Sequence, residues 1–275
     1  MRIIRRIVHA LPPGLTLGFL LLGSLVSLPG FPSGKLPPSE ADLILADEED
    51  LTYEVSWTVF KLGTIRLKTF RSHAAEAYID SYDNIPFVNL HSVHYTWMDS
   101  LLFSRGSRAL ELRGDEWWGL DYIYDIPNRI IRVEETYQKD LGTAPHSRVQ
   151  KDSIRLADAR FVDGLSIAYL ARRLVHAMQT VQVPTILYGK VGITTFNLPG
   201  NRVSEALSVI DRPVKAIEVS GTTSVEGIFG MTGDFRGWFS DDSVAVPLKG
   251  KIRVLLGNVN IELIQWNRKG WNPPE

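Results

Sequence analysis

The residues best placed to do chemistry lie near the C-terminus. Ser240-Asp241-Asp242 sets two carboxylates beside a hydroxyl, with Arg236 and Trp238 just upstream. A set of this kind could hold a cation or a sugar, because carboxylates accept from hydroxyls and an indole face suits a sugar ring. The stretch Ser240–Ser243 also has the composition of a turn, in which Asp side chains bond nearby backbone N–H groups. Hydrolysis of a glycoside needs two carboxyls facing each other across a bond, ~5–9.5 Å apart. Neighbours on a strand point to opposite faces, so Asp241 and Asp242 would need a distant partner such as Glu262 to act as an acid–base pair.

Aromatic residues are the second group. Trp117-Trp118, Tyr122, Tyr124, Trp97 and Trp57 are numerous for a chain of 275 residues. Adjacent tryptophans on a strand face opposite ways, so one of Trp117 and Trp118 is expected outside the core. Exposed aromatics mark binding surfaces, and a covering apolar layer is the alternative. The candidate ligand-binding residues are therefore Arg236, Trp238, Asp241, Asp242, Trp117 and Trp118, for a lipid-like or glycan ligand.

Other constellations carry less. His91 and His94 are three apart on an expected strand, which puts the rings on opposite faces and argues against a shared metal. Arg172, Arg173 and His176 make a basic helical surface, read as a solvent face. Asp47-Glu48-Glu49-Asp50 reads as a solvated lead-in to a strand. The sequence holds no Gly-x-Ser-x-Gly elbow, Walker loop, dinucleotide fingerprint or His-Glu-x-x-His. No catalytic residue, metal site or cofactor is assigned.

The elements that must position these residues are mostly strands. From Leu51, residues Leu51, Tyr53, Val55, Trp57 and Val59 share one parity and Thr52, Glu54, Ser56 and Thr58 the other, which is the period of a half-buried strand. Lys61-Leu62-Gly63 reads as a tight return into a strand at 64–70. Further strands are expected at 76–82, 87–98, 108–112, 117–124, 128–137, 190–197, 202–211, 214–220, 234–239, 243–256 and 259–266. Residues 138–160 read as a long polar loop, Leu198-Pro199-Gly200-Asn201 and Gly257-Asn258 as hairpin turns. One helix is expected at about 163–179, capped by Asp163 and stopped before Pro184, with Ile167, Leu170, Ala171, Leu174 and Met178 on its apolar stripe. The fold class is mainly β: an antiparallel curved sheet or incomplete β-barrel with one amphipathic helix packed against it.

Composition bounds the setting. Residues 1–28 read as an export signal or N-terminal anchor: Arg2, Arg5 and Arg6 precede an apolar run from Leu15 to Leu28, short of the ~20 residues a spanning helix needs. Residues 29–46, with Pro29, Pro32, Pro37 and Pro38, read as a Pro-rich tether, and 47–275 as a single β-rich domain. Net charge is −1, and removing 1–27 with its three arginines leaves 27 basic against 31 acidic residues, or −4. That balance argues against a nucleic-acid partner. The chain has no cysteine, which excludes disulfides, thiol nucleophiles and a lipidated cysteine.

Three stretches resemble domain of unknown function family 3108, a group of exported bacterial proteins. They are Leu51-Thr52-Tyr53-Glu54-Val55-Ser56-Trp57 with Lys61-Leu62-Gly63, then Val162-Asp163-Gly164-Leu165-Ser166-Ile167-Ala168-Tyr169-Leu170-Ala171-Arg172, and Gly233 through Trp238-Phe239-Ser240-Asp241-Asp242 and Pro247 to Glu262-Leu263. The resemblance implies an envelope-facing β-rich domain and no catalytic residues. The expected function is non-enzymatic binding of a lipid-like or glycan ligand in a β-groove, in the periplasm or cell envelope. An envelope hydrolase using Asp241 and Asp242, and an assembly factor that binds another envelope protein, are the alternatives.

Overall fold

A computed structural model of the chain describes residues 43–83, 85, 89–156, 160–225, 233–254 and 257–275. The expected export segment and most of the Pro-rich tether lie outside the described residues. The first arm of the fold is a meander of eight strands: β1 (Glu49–Trp57), β2 (Phe60–Phe70), β3 (Ala74–Ser81), β4 (His91–Met98), β5 (Ser104–Arg113), β6 (Glu116–Asp125), β7 (Ile130–Gln138) and β8 (Ser147–Arg155). Helix α1 (Ser166–Leu174) follows. The second arm is β9 (Thr180–Leu187), β10 (Lys190–Glu205), β11 (Val214–Thr223), β12 (Gly233–Ser240), β13 (Pro247–Arg253) and β14 (Asn258–Arg268). All are joined in one antiparallel sheet, ordered from β8 inward to β1, then from β14 outward to β9. The first strand therefore pairs with the last, Glu49 opposite Arg268 and Trp57 opposite Val259.

The sheet curls without closing. Its edges, β8 and β9, do not pair with each other. The crossover between them partly bridges the gap. Val162 donates its N–H to Pro184 O (2.9 Å) and accepts from Ile186 N–H (2.9 Å), while Phe161 O accepts from Ser104 N–H at the start of β5 (3.0 Å).

Strand parity decides what faces inward. Because cross-strand partners share a face, three rows can be followed across the first arm. Glu49, Thr69, Ala75, Thr96, Ser107 and Tyr122 form one; Leu51, Leu67, Ala77, His94 and Ala109 the next; Tyr53, Ile65 and Ile79 the third. The lower rows carry the main core, in which Leu51 and Leu263 are fully buried together with Tyr169 of the helix. The opposite parity is solvated and ion-paired, as in Arg66–Asp50 and Lys61–Glu54.

Several elements differ from the sequence reading. The polar stretch expected as a loop contains β8, an exposed edge strand whose charged side chains conceal any alternation, with Ile154 its one buried residue. β9 is an edge strand that the sequence reading does not include, and it contains Pro184, the residue expected to stop the helix, which an edge strand tolerates. The turn expected at 198–201 is a bulge inside the single long strand β10, between Asn197 and Asn201. The first return falls at Thr58-Val59, where Thr58 takes φ 54°, and Lys61–Gly63 lies within β2. The helix is shorter than expected, and Met178, assigned to its apolar stripe, lies beyond it and is exposed. The chain joins the core before residue 47, since Ile44 and Leu45 are buried in it. No helix among the described residues is long and apolar enough to cross a membrane.

β14 lies between β1 and β13, so it is an interior strand at the junction of both arms. A chain ending at Asn258 would expose both neighbours' backbone groups and lose the buried Leu263 and Trp271. Each such side chain contributes about 1.5–3 kcal/mol against a total of ~5–15. The truncated protein is expected to lose its cooperative thermal transition; a sharp melt near the full-length temperature would contradict the placement of this strand.

Candidate functional site: an apolar cavity between the two arms

Curling leaves a cavity of about 460 Å³ between the arms, lined by residues of both and by α1. Its walls are mostly aliphatic and aromatic. Ile65, Leu67 and Ile79 come from the first arm, Phe196, Val219 and Phe235 from the second, and Leu165, Ile167 and Ala168 from the helix and the residue before it.

Glycines open the space. The inward row Ile261, Gly250, Gly237, Val219 has no side chain at two successive strands, and the row Ile252, Phe235, Gly221, Phe196 lacks one at β11. At Gly221 a Cβ would fall 2.4 Å from Phe235 Cζ, so glycine is needed for Phe235 to reach Phe196 and meet it edge to face, centroids 5.7 Å apart. Gly250 is different: a Cβ there would make only an ordinary contact with Ile261, at 3.6 Å. The strand geometry does not require a glycine at 250, and the side chain it omits would stand beside the cavity wall.

Polar groups also line the same space, among them His94, Ser107 and Tyr122, with the charged residues Arg108, Asp163, Arg236 and Lys249 in its wall. Burial pushes the His94 imidazole below its usual range, although Asp163 and Glu111 pull the other way, so the ring is neutral at neutral pH. Burial pushes the Tyr122 phenol up to about 12. Ser107 Oγ is 2.8 Å from Tyr124 OH. His94, Ser107 and Tyr122 are uncharged hydrogen-bonding groups in a mostly apolar wall.

The helix that roofs the cavity is held by buried polar contacts. Asp163 accepts from the Leu165 and Ser166 N–H groups (2.8 and 2.9 Å), as a cap should, and its other oxygen accepts from Thr96 Oγ1 (2.5 Å) and from Ser104. Arg172 is buried, not on a solvent face as its charge implied. It makes a bidentate pair with Glu49 (both 2.7 Å) and donates through Nε to Val244 O (3.1 Å). Arg268 reaches the same carboxylate (2.6 Å) and also the carbonyls of Leu43 and Ile44. Thr69 Oγ1 donates to Glu49 (3.0 Å) and lies 2.6 Å from Tyr169 OH. Burial alone would raise the Glu49 pKa, but the Arg172 and Arg268 guanidiniums outweigh it and hold the carboxyl below its ordinary 4.5. Glu49 was part of the acidic run read as a solvated lead-in. It is the inward member of that run, on the parity of Leu51 and Tyr53.

The six candidate residues are not brought together. Arg236, on β12, lines the cavity; its guanidinium is largely exposed and 3.5 Å from Glu218. Trp238 packs against the main core. Asp241 is paired with Arg202 (2.8 Å). Asp242 is occupied by its own turn, accepting from Val244 and Ala245 N–H (both 2.9 Å) and from Trp271 Nε1 (2.9 Å). Glu262 accepts from Ser208 N–H (2.6 Å) and lies 3.7 Å from Lys249. Each of these carboxylates thus has separate structural partners. Trp117 and Trp118 lie on β6 and do not line the cavity; Arg113 stacks over the Trp118 ring at 3.6 Å. His91 pairs with Asp80 (2.8 Å) on the face opposite His94. Among the described residues no group of three or more His, Asp or Glu is placed to hold a metal. A second depression, of about 560 Å³, is lined by charged and polar residues around Asp47–Asp50, Lys68, Arg71 and Lys269, and Asp50 and Asp47 are ion-paired there.

No family model matches the chain, and no curated protein matches it. Among solved structures it is similar to a β-barrel-like protein of domain of unknown function DUF1849 from Brucella abortus, with 10% identity and a TM-score of 0.49 over 80% of this chain and 97% of that one. It is also similar to the Mycobacterium tuberculosis lipoprotein LppX, with 10% identity and a TM-score of 0.26 over 86% of this chain and 97% of that one.

Replacing Glu49 by Gln leaves two buried guanidiniums without a counter-charge, and breaking a buried pair in this way costs about 3–5 kcal/mol. The depressed pKa also fixes the sign of the pH dependence. The stability Glu49 contributes is fully present above its unfolded value, near 4.5, and is lost as pH falls through the lower folded value. Denaturant unfolding at about pH 7 and about pH 3 is expected to show the wild type losing more stability on acidification than Glu49→Gln. Equal acid sensitivity would show that this carboxylate is not held ionised by its neighbours.

Proposed function

We propose that this is an exported bacterial cell-envelope protein that binds a lipid-like amphiphile in the cavity between the arms, without catalysis. The observation that carries this reading is the cavity itself, apolar, roofed by α1 and enlarged by the inward glycines Gly237 and Gly250. Its volume lies within the ~300–1,000 Å³ typical of small-molecule sites. Aliphatic walls favour an acyl chain over a glycan, which needs many hydrogen-bonding partners. The neutral groups His94, Ser107 and Tyr122 give a polar head partners inside the cavity, and Arg236 is the cavity-lining member of the residues expected from sequence. Export is supported by the composition of residues 1–28, and the three motifs by which the chain resembles domain of unknown function family 3108 point to the same setting.

Two measurements test the reading. Each buried methylene contributes about 0.8 kcal/mol, or roughly fourfold in affinity. Displacement of a fluorescent fatty acid by unlabelled fatty alcohols of increasing length is therefore expected to tighten about fourfold per added methylene until the cavity is full. Affinity independent of chain length would sink the proposal. Gly250→Leu places a branched side chain toward the space beside Ile261 with no positive-φ strain, and is expected to weaken uptake at least tenfold while the melting temperature holds. Unchanged uptake by a folded Gly250→Leu protein would show that the ligand sits elsewhere.

A further inference from the structure

Successive strands alternate in direction and β14 runs against β1, so the C-terminal ends of β1, β3, β5, β7, β9, β11 and β13 all lie at one end. At that end large apolar side chains stand in solvent: Val59 is 86% exposed and Phe60 60%, with Tyr82, Tyr188 and Val191 also exposed. Trp57 stacks on Phe60, centroids 6.4 Å apart, and lies beside Gly257 of the neighbouring turn. Val59 and Phe60 leave most of their apolar surface in solvent.

The cavity reaches the same end. Tyr188 of the β9–β10 turn, Val225 just after β11 and Gly233 at the start of β12 line its wall. Helix α1 and the Glu49 cluster occupy the other end. We propose that the hairpin tips around Trp57, Val59 and Phe60 insert into the surface of a lipid bilayer, placing the cavity against the membrane from which an amphiphile is drawn or to which it is returned. The role assigned to the contact rests on the amphiphile reading above; the contact itself stands on the tips. Aromatic and aliphatic side chains that protrude together suit the bilayer interface. Two cations near the tips are ion-paired, Lys61 with Glu54 (2.6 Å) and Arg253 with Asp234 (3.4 Å), so the tips themselves offer apolar insertion as the driving force.

The test uses the full chain and phosphatidylcholine vesicles, with indole quenching by brominated acyl chains as readout. Quenching is expected for the wild type, to survive high salt, to fall in Trp57→Phe, and to be lost in the exposed double variant Val59→Asp/Phe60→Asp, whose melting temperature should hold. The double variant should still take up fluorescent fatty acid in solution, while Gly250→Leu loses uptake and keeps the quenching. Absent quenching in the wild type, quenching that is the same in Trp57→Phe, or quenching unaffected by the two aspartates would overturn the rim proposal and leave the cavity reading intact. Quenching by anionic vesicles only, abolished by salt, would also overturn it. Capture of a soluble protein by the tips without any vesicle quenching would assign them to a protein partner instead.

Discussion

Glu49 is buried with its two carboxylate oxygens shared between Arg172 and Arg268, and the arrangement of everything around the cavity depends on that contact. The three residues come from the first strand, the helix and the last strand. A buried ion pair of this kind is weak evidence for stability in itself, because desolvating three charges offsets most of the attraction. What it supplies is position. A helix lying over an apolar opening could slide along it at little cost. A guanidinium that must meet a carboxylate through two parallel hydrogen bonds has one place to be. The carbonyls of Leu43, Ile44 and Val244 accept from further N–H groups of the same guanidiniums, which recruits the loops at that end of the sheet into the same arrangement.

Much of the architecture was legible because strand period is a local property. The alternation from Leu51 to Trp57 and the apolar stripe containing Leu170, Ala171 and Leu174 each report on their own neighbourhood. The misreadings share a cause. Pro184 and the charged run of β8 sit on edge strands, where the usual penalties do not apply. Arg172 was given to solvent because its partner is 123 residues away. The signal for Glu49 was present but unused, since extending the inward parity back from Tyr53 and Leu51 lands on it.

The cavity was the least legible feature, and it is made of what the sequence leaves out. A catalytic site announces itself by side chains. A cavity between two arms of one sheet is announced by glycines whose inward positions coincide across strands, and only the register reveals the coincidence of Gly237 with Gly250. Asp241 and Asp242 drew attention by their chemistry and serve a turn and an ion pair. Val59 reads as the tail of a strand's apolar face and, with Phe60, is exposed at a hairpin tip.

Pairing the first strand with the last has a temporal consequence. Glu49 meets Arg268 across 219 residues, so the centre of the sheet cannot form until almost the whole chain is available. Each arm can begin as local hairpins, yet the strand that joins them is the final one made. Such contacts carry the largest loop-closure cost and come late in folding. A partly synthesised chain is thus kept from its finished state by topology alone. Its apolar inner face stays without a partner arm for that whole interval, which makes the unfinished first arm the form of this protein most in need of a chaperone.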